Sequence, residues 1–299
     1  TMAPNKSLIK YDVKPGDLVK AGQKIGVRTD FYVPIYSSVS GEVKANENVL
    51  CAPLGAPIPH IVIESDGKME TVSALKKVAL KDSKDKILAA IKEAGIVGMG
   101  GAGFPLYVKY DNNAEIDTLL VNAVECEPFL TTDYVTTKHE ANNLVKGIEL
   151  LMKVKDIKHA IVCIKVHKEA ARDAVLEAIK GKENISLKEV QDIYPMGWER
   201  TLIKHVLNRT YVKLPSEAKV IVNNVQSIIS IGKCLTEGTA ILDRVVTVSG
   251  DAVTNPCNVK APLGTPAKVL IDACDGYSYD GEISLLPGGP MCYKAVNND

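Results

Sequence analysis

A run of glycines from Gly98 to Gly103 is the part of this sequence whose residue types are best suited to hold a ligand. The segment GMGGAGFP carries four glycines in six residues and ends in a rigid Phe-Pro pair. Glycine permits positive φ angles and a close approach of the backbone, so consecutive N–H groups can converge on phosphate oxygens. Lys109 follows closely and could supply a cation for the phosphate. A flexible loop without a ligand is the alternative, and the glycine density with the Phe-Pro end favours a ligand-binding loop.

The same glycines also fit a weak dinucleotide motif, but their context argues against it. Gly98, Gly100 and Gly103 have the spacing GxGxxG. In a Rossmann fingerprint this motif follows a strand and opens a helix. Here the preceding segment KDKILAAIKEAG has apolar residues at helical spacing, with Ser83 as a candidate N-cap and Gly95 as the C-terminal stop. We therefore reject the ordinary NAD fingerprint at this position.

A second polar cluster, NAVECEP at residues 122–128, ends the apolar segment DTLLVNAV, which has the pattern of a buried strand. Carboxylates at the end of a strand can accept hydrogen bonds from ribityl or ribose hydroxyls, and the amide of Asn122 can donate to a ring carbonyl. A solvated acidic turn is the alternative. The spacing alone leaves both interpretations open.

The segments around these motifs predict an α/β sheet. DTLLVNAV, HAIVCIKV and SLKEVQDI have the pattern of strands, whereas TTDYVTTKHEANNLVKGIELLMKV and HKEAARDAVLEAIKG have that of helices. Strands alternating with helices predict right-handed crossovers and a parallel, doubly wound, Rossmann-like sheet. Ligands in such sheets lie beyond the carboxyl ends of the strands. The residues just after DTLLVNAV and SLKEVQDI are therefore the expected site.

Smaller modules are expected on both sides of this sheet. The start of the chain predicts an all-β barrel-sandwich hybrid, similar to lipoyl and biotinyl carriers. The expected hairpin turn of this module, SSVSGEV, has no lysine to carry a prosthetic group. A structural or docking module is therefore favoured over a swinging-arm carrier. Near the end, RVVTVSGDAV and CNVKAPLG predict two strands before the helical TPAKVLIDAC, which suggests a β-grasp module. The predicted domains are 1–72, 73–240 and 241–299.

Composition excludes several classes of function. Its 36 basic residues balance its 36 acidic ones, so we expect no nucleic-acid binding. The longest apolar runs fall far short of the roughly 18 residues that a membrane helix needs, so we expect no membrane span. Seven cysteines form no CxxC pair and the histidines show no ligand spacing, so we expect no disulfide framework and no metal or iron–sulfur site within these residues. Free thiols and the lack of a visible export signal predict a cytoplasmic protein.

The ordered set of motifs resembles a known family. GIVGMGGAGFPLYVK followed by LLVNAVECEP is similar to the paired signature of the C subunit of the Rnf ferredoxin:NAD oxidoreductase complex and of the flavin-carrying, NADH-oxidising subunit of respiratory complex I. YPMGWERTLI, VIVNNVQSI, RVVTVSG with LGTP, and LPGGPM match in the same order. The resemblance covers nearly the whole chain and implies a C-terminal module of the SLBB type.

The resemblance implies an FMN held by the glycine loop, with NADH stacking over it. The residues that match those at the FMN phosphate and ribityl chain are Gly98, Gly100, Gly101 and Lys109. Those expected to line the flavin are Asn122, Glu125, Tyr194, Gly197, Asn223 and Asn224. On the NADH side, the resemblance implies stacking by Phe104 and hydrogen bonding by Glu127 and Glu199.

Two positions depart from the family pattern. Trp198 stands in Gly197-Trp198-Glu199 where the Rnf pattern usually has Gly-Gly-Glu. Its ring adds bulk that could stack on a nucleotide ring or block one. Val124 replaces an acidic residue of the complex I pattern, which removes one polar contact. Both changes bear on nucleotide affinity.

The implied activity is hydride transfer from NADH to FMN, which then feeds single electrons to [4Fe-4S] clusters. The cofactor supplies this chemistry, so we expect no side-chain nucleophile or general acid. In the family the clusters are bound by a segment after the GGPM motif. We expect them only in that segment, which this chain lacks, so the chain alone should not pass electrons onward.

The resemblance also implies partners, and it leaves the acceptor open. The expected partners are NADH and the other subunits of a membrane-bound electron-transport complex or of a soluble reductase, which allows a peripheral position on the inner face of the cell membrane. One alternative is an electron carrier similar to the Rnf C subunit that serves an amino-acid reductase such as D-proline reductase. Another is a scaffold module that has lost its nucleotide.

Overall fold

The computed structural model describes residues 9–51, 56–291 and 295–296, with the side chains at 45–51 and 56–59 left out. The chain divides into two compact units. We call the first the β unit; it comprises 1–74, 127–132 and 240–299. The second is the α/β unit, made of 75–126 and 133–239. The division into three domains stays a prediction, and the structure groups the first and last of them in one unit.

The β unit begins with two small antiparallel sheets. The strands are β1 (Ile9–Tyr11), β2 (Leu18–Val19), β3 (Lys24–Arg28), β4 (Val33–Tyr36), β5 (Gly41–Cys51) and β6 (Ala56–Ser65). One sheet has the order β1-β3-β4 and the other β2-β5-β6. Val19, Ile25 and Val43 form one buried apolar cluster that draws on both sheets, which is the arrangement of a sandwich. The predicted barrel-sandwich start is confirmed in outline.

The expected hairpin turn at SSVSGEV is wrong. Ser37–Ser40 connects β4 to β5, and these two strands belong to different sheets. β5 pairs instead with β6, so the residues that join that hairpin are 52–55, outside the described residues. Strand pairing is a non-local property that the turn residues did not reveal. The sequence APLG at 52–55 also contains no lysine.

The end of the β unit contains an antiparallel pair and a short helix. β11 (Asp243–Val248) pairs with β12 (Cys257–Pro262), and the helix, which we number α6 in chain order, spans Ala267–Asp272. These are the two strands and the helix that the sequence predicts. Within the unit, the Ser38 hydroxyl donates to the carbonyl of Leu263 at 2.6 Å.

The α/β unit is built on a four-stranded parallel sheet. Its strands are β7 (Thr118–Ala123), β8 (His159–Lys165), β9 (Ile185–Val190) and β10 (Val220–Asn224), in the order β10-β7-β8-β9. Every pairing in the sheet is parallel. Leu119, Leu120 and Val121 of β7 are fully buried, as expected for a central strand covered on both faces.

Five helices accompany this sheet: α1 (Lys84–Glu93), α2 (Thr132–Lys155), α3 (Glu169–Ala178), α4 (Glu199–Leu207) and α5 (Val225–Glu237). The side chain of Ser83 caps α1 by accepting from Lys86 N–H, and Gly95 beyond its end has φ +64°, so both predicted boundaries are confirmed. α2 is interrupted at Glu140, whose φ of −118° and ψ of 21° are not helical, whereas the sequence predicts one continuous helix.

The strand order creates a switch point between β7 and β10. From β7 the chain passes to β8 and β9 on one side, and it then returns to add β10 on the other side of β7. Connections that leave neighbouring strands in opposite directions open a crevice at the carboxyl ends of those strands. Asn122 of β7 and Asn224 of β10 are register partners at this edge. No helix among the described residues is long and apolar enough to cross a membrane.

Candidate functional site

The glycine run forms a closed loop in the α/β unit. Gly98 N–H donates to the carbonyl of Phe104 at 2.7 Å, and Val97 and Pro105 form an antiparallel bridge at the base of the loop. Gly101 has φ +121°, a conformation that side chains rarely adopt. Gly100 and Gly101 are exposed at the tip. The loop therefore has a fixed base and a tip whose backbone is open to solvent.

The loop is attached to the first turn of α5. The N–H of Met99 donates to the hydroxyl of buried Ser227 at 2.9 Å. Asn224 caps the helix, since its side chain accepts from Gln226 N–H at 2.9 Å. The amino end of a helix presents unpaired N–H groups and a partial positive charge, which favours an anion beside it. The exposed loop tip thus lies next to a helix end suited to bind a phosphate.

Two of the loop glycines are not required by the fold itself. A Cβ at Gly100 would lie 3.4 Å from Cβ of Asn224, and one at Gly98 would lie 3.5 Å from the carbonyl oxygen of Phe104, which are ordinary contacts. Neither residue has a positive φ. Packing and backbone strain therefore do not explain glycine at these two positions. Glycine at these two positions leaves the backbone open to the close approach of a ligand, which the anionic end of a mononucleotide would require.

Asn122 connects the end of β7 to the segment before α4. Its amide donates to the carbonyl of Gly197 at 2.8 Å and its oxygen accepts from Val124 N–H at 3.0 Å. Gly197 is a packing requirement, because a Cβ there would lie 2.2 Å from the carbonyl oxygen of Val124. The resemblance places Asn122 and Gly197 in one site, and the structure brings them into direct contact.

Asn223 lies near the carboxyl end of β10, and Lys109 contacts the residue before it. The ammonium of Lys109 donates to the carbonyl of Val222 at 2.7 Å. Burial lowers the pKa of Lys109, and the charge of Glu199 opposes that shift. Asn223 is buried, and its side-chain amide donates to the Tyr110 hydroxyl. Burial raises the pKa of Tyr110. The Lys109 ammonium has further N–H donors that could bind an anion, whereas the side-chain NH2 group of Asn223 already donates one hydrogen bond to Tyr110.

Glu125, which is half-buried, and buried Asp133 form a carboxylate pair beside Asn224. One oxygen of Glu125 accepts from Asp133 N–H at 2.9 Å, and the other is buried with no partner. Burial, and secondarily the charge of Asp133, raise the pKa of Glu125 to about 7. Asp133 in turn accepts from the amides of Asn224 at 2.8 Å and Gln226 at 2.5 Å. An unpartnered buried oxygen is what a site for polyol hydroxyls would provide.

Aromatic side chains are exposed around the site residues of the α/β unit. Phe104, at the end of the glycine loop, is 38% exposed, and Tyr194 is 43% exposed. Trp198 occupies the N-cap position of α4 without a side-chain hydrogen bond to the helix, and its ring meets the Tyr194 ring edge-on, with ring centroids 5.9 Å apart. Glu199 follows it and accepts from the Tyr211 hydroxyl at 2.8 Å. Exposed rings of this kind can stack on planar ligands.

Glu127 has a different setting from the other predicted residues. It belongs to the β unit, where its carboxylate accepts from the N–H of Met291 at 2.6 Å. A Cβ at Gly289 would collide with the same side chain, so Glu127 is packed against the GGPM segment. Its expected role toward NADH stays a prediction.

Sequence reasoning missed four residues that organise the site: Tyr110, Asp133, Gln226 and Ser227. Their contacts join segments that are distant in the chain, which no local pattern reveals. A partial signal was present for Asp133, since an acidic residue in the first turn of a helix is favourable there. Gln226 and Ser227 lie inside VIVNNVQSI, one of the segments that carried the resemblance.

Three families of domain match the chain in order. Residues 6–68 match the RnfC barrel sandwich hybrid domain, residues 91–233 the Nuo51 FMN-binding domain and residues 245–295 the SLBB domain. The second match includes the glycine loop, both strands of the switch point and α4. The third confirms the predicted type of the C-terminal module.

Curated relatives match over most of the chain. The C subunit of the proton-translocating ferredoxin:NAD(+) oxidoreductase complex of Clostridium ljungdahlii is 34% identical over 298 residues, 96% of this chain. The chain is RnfC-like. The C subunit of the Na(+)-translocating ferredoxin:NAD(+) oxidoreductase complex of Acetobacterium woodii is also 34% identical, over 93% of this chain. The RnfC-like chain spans 64% of the length of each of these relatives.

A solved structure shares the fold of the RnfC-like chain. A chain of the NAD+-reducing [NiFe]-hydrogenase in its H2-reduced state superposes with a TM-score of 0.57 at 23% identity. The match covers 65% of this chain and 39% of that one. Over that part of the chain, the two proteins share a fold.

Proposed function

We propose that the α/β unit binds FMN at the edge between β7 and β10 and that the chain serves as an electron-transfer subunit of a ferredoxin:NAD oxidoreductase complex. The observation that carries the proposal is the meeting of three features at one switch point: an open glycine loop, the capped start of α5 and the polar ends of two parallel strands. The Nuo51 FMN-binding match over residues 91–233 supports the same ligand.

In this proposal the glycine loop and α5 hold the phosphate of FMN. The exposed N–H groups around Gly100 and Gly101 converge on the phosphate oxygens, and Lys109 adds a positive charge. The bond from Gly98 N–H to the Phe104 carbonyl closes the base of the loop. Loop and helix are joined by the Met99–Ser227 hydrogen bond, so the phosphate site is formed before the ligand arrives.

The strand ends hold the rest of the cofactor. The free oxygen of Glu125 accepts from a ribityl hydroxyl, and the amides of Asn122 and Asn224 orient the ring system. Gly197 and Tyr194 line the side nearest α4. Bound FMN would supply hydride acceptance and the release of single electrons. The protein contributes binding, ring orientation and the charge near the flavin.

NADH is the proposed electron donor. Phe104 is exposed at the end of the glycine loop and can stack on a nicotinamide or adenine ring. Glu199, fixed by the Tyr211 hydroxyl, is the proposed acceptor of a ribose hydrogen bond. The resemblance also implies a hydrogen bond between Glu127 and NADH, and that role is part of the proposal. The names of the relatives support partner subunits in an ion-translocating membrane complex, to which this chain would bind peripherally on the cytoplasmic side.

Trp198 favours a second candidate, a carrier that exchanges electrons with a partner other than NADH, such as an amino-acid reductase. Its ring is 52% exposed and stands where the Rnf pattern usually has glycine. An indole at the start of α4 fills space that a glycine leaves to the nucleotide. Under this candidate FMN still binds, and NADH reaches it poorly.

Anaerobic mixing with NADH separates the two candidates. The FMN-loaded chain and its Trp198→Gly variant are mixed with NADH, and the loss of visible flavin absorption is followed. Similar rates in both proteins support NADH as the donor. Reduction of the variant alone supports the second candidate. If both proteins retain FMN and neither is reduced, the NADH-oxidising function is wrong.

A further inference from the structure

Two cysteines in the C-terminal part of the β unit are in direct contact through their sulfur atoms. The sulfurs of Cys257 and Cys274 are 2.9 Å apart, although 17 positions separate the residues in the chain. Cys257 begins β12 and Cys274 lies just beyond the end of α6. Cys257 is exposed to solvent, whereas Cys274 is buried. The contact therefore joins an accessible thiol to a protected one.

Backbone hydrogen bonds hold the two cysteine segments together. Asn255 N–H donates to the carbonyl of Cys274 at 3.0 Å, and Thr254 N–H donates to the carbonyl of Gly276 at 3.0 Å. The side-chain amide of Asn255 also donates to the carboxylate of Asp275. These bonds lie within three residues of both cysteines. The backbone therefore holds the two cysteine segments side by side, where their side chains can meet.

We propose that Cys257 and Cys274 form a dithiol site that low-molecular-weight disulfides oxidise to an intramolecular disulfide. The site lies in the β unit and is independent of the proposed FMN site. Its substrate class is a small disulfide of the glutathione type. Its product would link the start of β12 covalently to the end of α6.

The chemistry is a thiol–disulfide exchange in two steps. The thiolate of Cys257 attacks one sulfur of the small disulfide, forming a mixed disulfide and releasing one small thiolate. Cys274 then gives up its proton and attacks the sulfur of Cys257, which forms the internal disulfide and releases the second small thiolate. Two electrons pass from the protein thiols to the small disulfide. The two thiol protons end on the two released small thiols.

The different surroundings of the two sulfurs set the order of these steps. Burial, and secondarily the neighbouring thiol of Cys257, raise the pKa of Cys274 to about 11. Cys274 therefore keeps its proton and has no access to a small disulfide in solution. Once Cys257 carries the mixed disulfide, its sulfur is already within contact distance of Cys274. Proximity then drives the second step.

The other cysteines with described side chains lie in the α/β unit. Cys163 and Cys234 are buried and Cys126 is half-buried. Burial raises the pKa of Cys163 to about 12, which keeps that thiol protonated and unreactive. Cys126 is more accessible than these two and belongs to the other unit. It is therefore a suitable control position.

Peptide mapping after oxidation tests the proposal. The fully reduced chain is incubated with oxidised glutathione, remaining thiols are alkylated, and peptides are analysed without reduction. We expect a cross-linked peptide pair containing Cys257 and Cys274, and a loss of two free thiols per chain. Cys126→Ser should give the same cross-link. Cys274→Ser should trap a stable glutathione adduct on Cys257, whereas Cys257→Ser should leave Cys274 unmodified.

Two results would overturn the site. In the first, both cysteines of the wild-type chain remain free thiols under conditions that oxidise dithiothreitol. In the second, the wild-type chain keeps the glutathione adduct on Cys257 as long as Cys274→Ser does. Circular dichroism checks the fold of each variant. If a variant does not fold, the mapping of the wild-type chain decides alone.

Discussion

Glu125 has two oxygens in unlike surroundings at the end of β7. Asp133 N–H holds one of them, while the other is buried without a partner. A carboxyl group whose pKa is about 7 is present in both protonation states near neutral pH, so the free oxygen can donate to or accept from a hydroxyl. Glu125 therefore affects both the stability of the folded chain and its ability to bind a polar ligand.

The raised pKa of Glu125 predicts a specific dependence of stability on pH. The folded protein favours the protonated form, so the contribution of Glu125 is complete below the ordinary pKa near 4.5 and is lost as pH rises through about 7. Between these limits the free energy of unfolding should fall by about 1–3 kcal/mol more in the wild type than in Glu125→Gln. Urea unfolding across this pH range measures the difference. Parallel curves for both proteins would contradict the assigned environment.

Gly100 gives the sharpest test of the phosphate site at the scale of one residue. The fold leaves room for a Cβ at position 100, so Gly100→Val should fold. Its side chain would fill the space that the phosphate needs. FMN affinity should therefore drop at least about tenfold through lost charge-assisted hydrogen bonds. Fluorescence titration measures the affinity. Ala89→Val, which adds bulk at an exposed position of α1 outside the glycine loop, is the control and should leave FMN affinity unchanged. Unchanged affinity in a folded Gly100→Val protein would count against the site.

At the scale of elements, the site depends on how the glycine loop is held against α5. Buried Ser227 accepts the N–H of Met99, and the Ser230 hydroxyl adds only a long contact of 3.9 Å with the Met99 sulfur. Ser227→Ala would leave the Met99 N–H unpaired, which costs about 1–3 kcal/mol of stability. A looser loop should also bind FMN more weakly, because its N–H groups are no longer preorganised.

Thr236 on the same helix provides the control for this change. Its hydroxyl donates to the carbonyl of Gly232 within α5, more than two turns from the capped start of the helix. Thr236→Ala should therefore leave FMN affinity unchanged while it removes a hydroxyl of similar size. If the Ser227→Ala and Thr236→Ala proteins bind FMN equally well, FMN binding does not depend on the attachment of the glycine loop to α5.

Helices and strands could be predicted from the sequence wherever regular apolar spacing or a capping residue defines them. The strands β7, β8 and β9 and the helix α1 follow from apolar spacing, with Ser83 and Gly95 as boundaries. The interruption of α2 at Glu140 and the pairing of β5 with β6 were not predicted, because both depend on contacts outside the local window. The same limit hid Asp133 and Ser227, whose partners are remote in the chain. The resemblance, in contrast, selected Asn122 and Gly197, which lie 75 positions apart and which the fold brings into contact.

At the scale of the whole molecule, the proposal confines FMN to the α/β unit. Deuterium exchange with and without FMN should therefore slow at 98–109, 122–126 and 220–227, where backbone N–H groups meet or support the ligand. The strands β1–β4 of the β unit should exchange at the same rate in both states. Protection that appears only in the β unit would show that the ligand binds elsewhere. Gly100→Val should abolish the difference at all three segments.

The position of the FMN phosphate tests the central claim most directly. In a crystal structure of the chain with FMN, we expect the phosphate within hydrogen-bond distance of the N–H groups of residues 98–103 and the start of α5, with the ribityl chain beside Glu125. A phosphate bound anywhere else, or a glycine loop that makes no contact with the cofactor, would contradict the account.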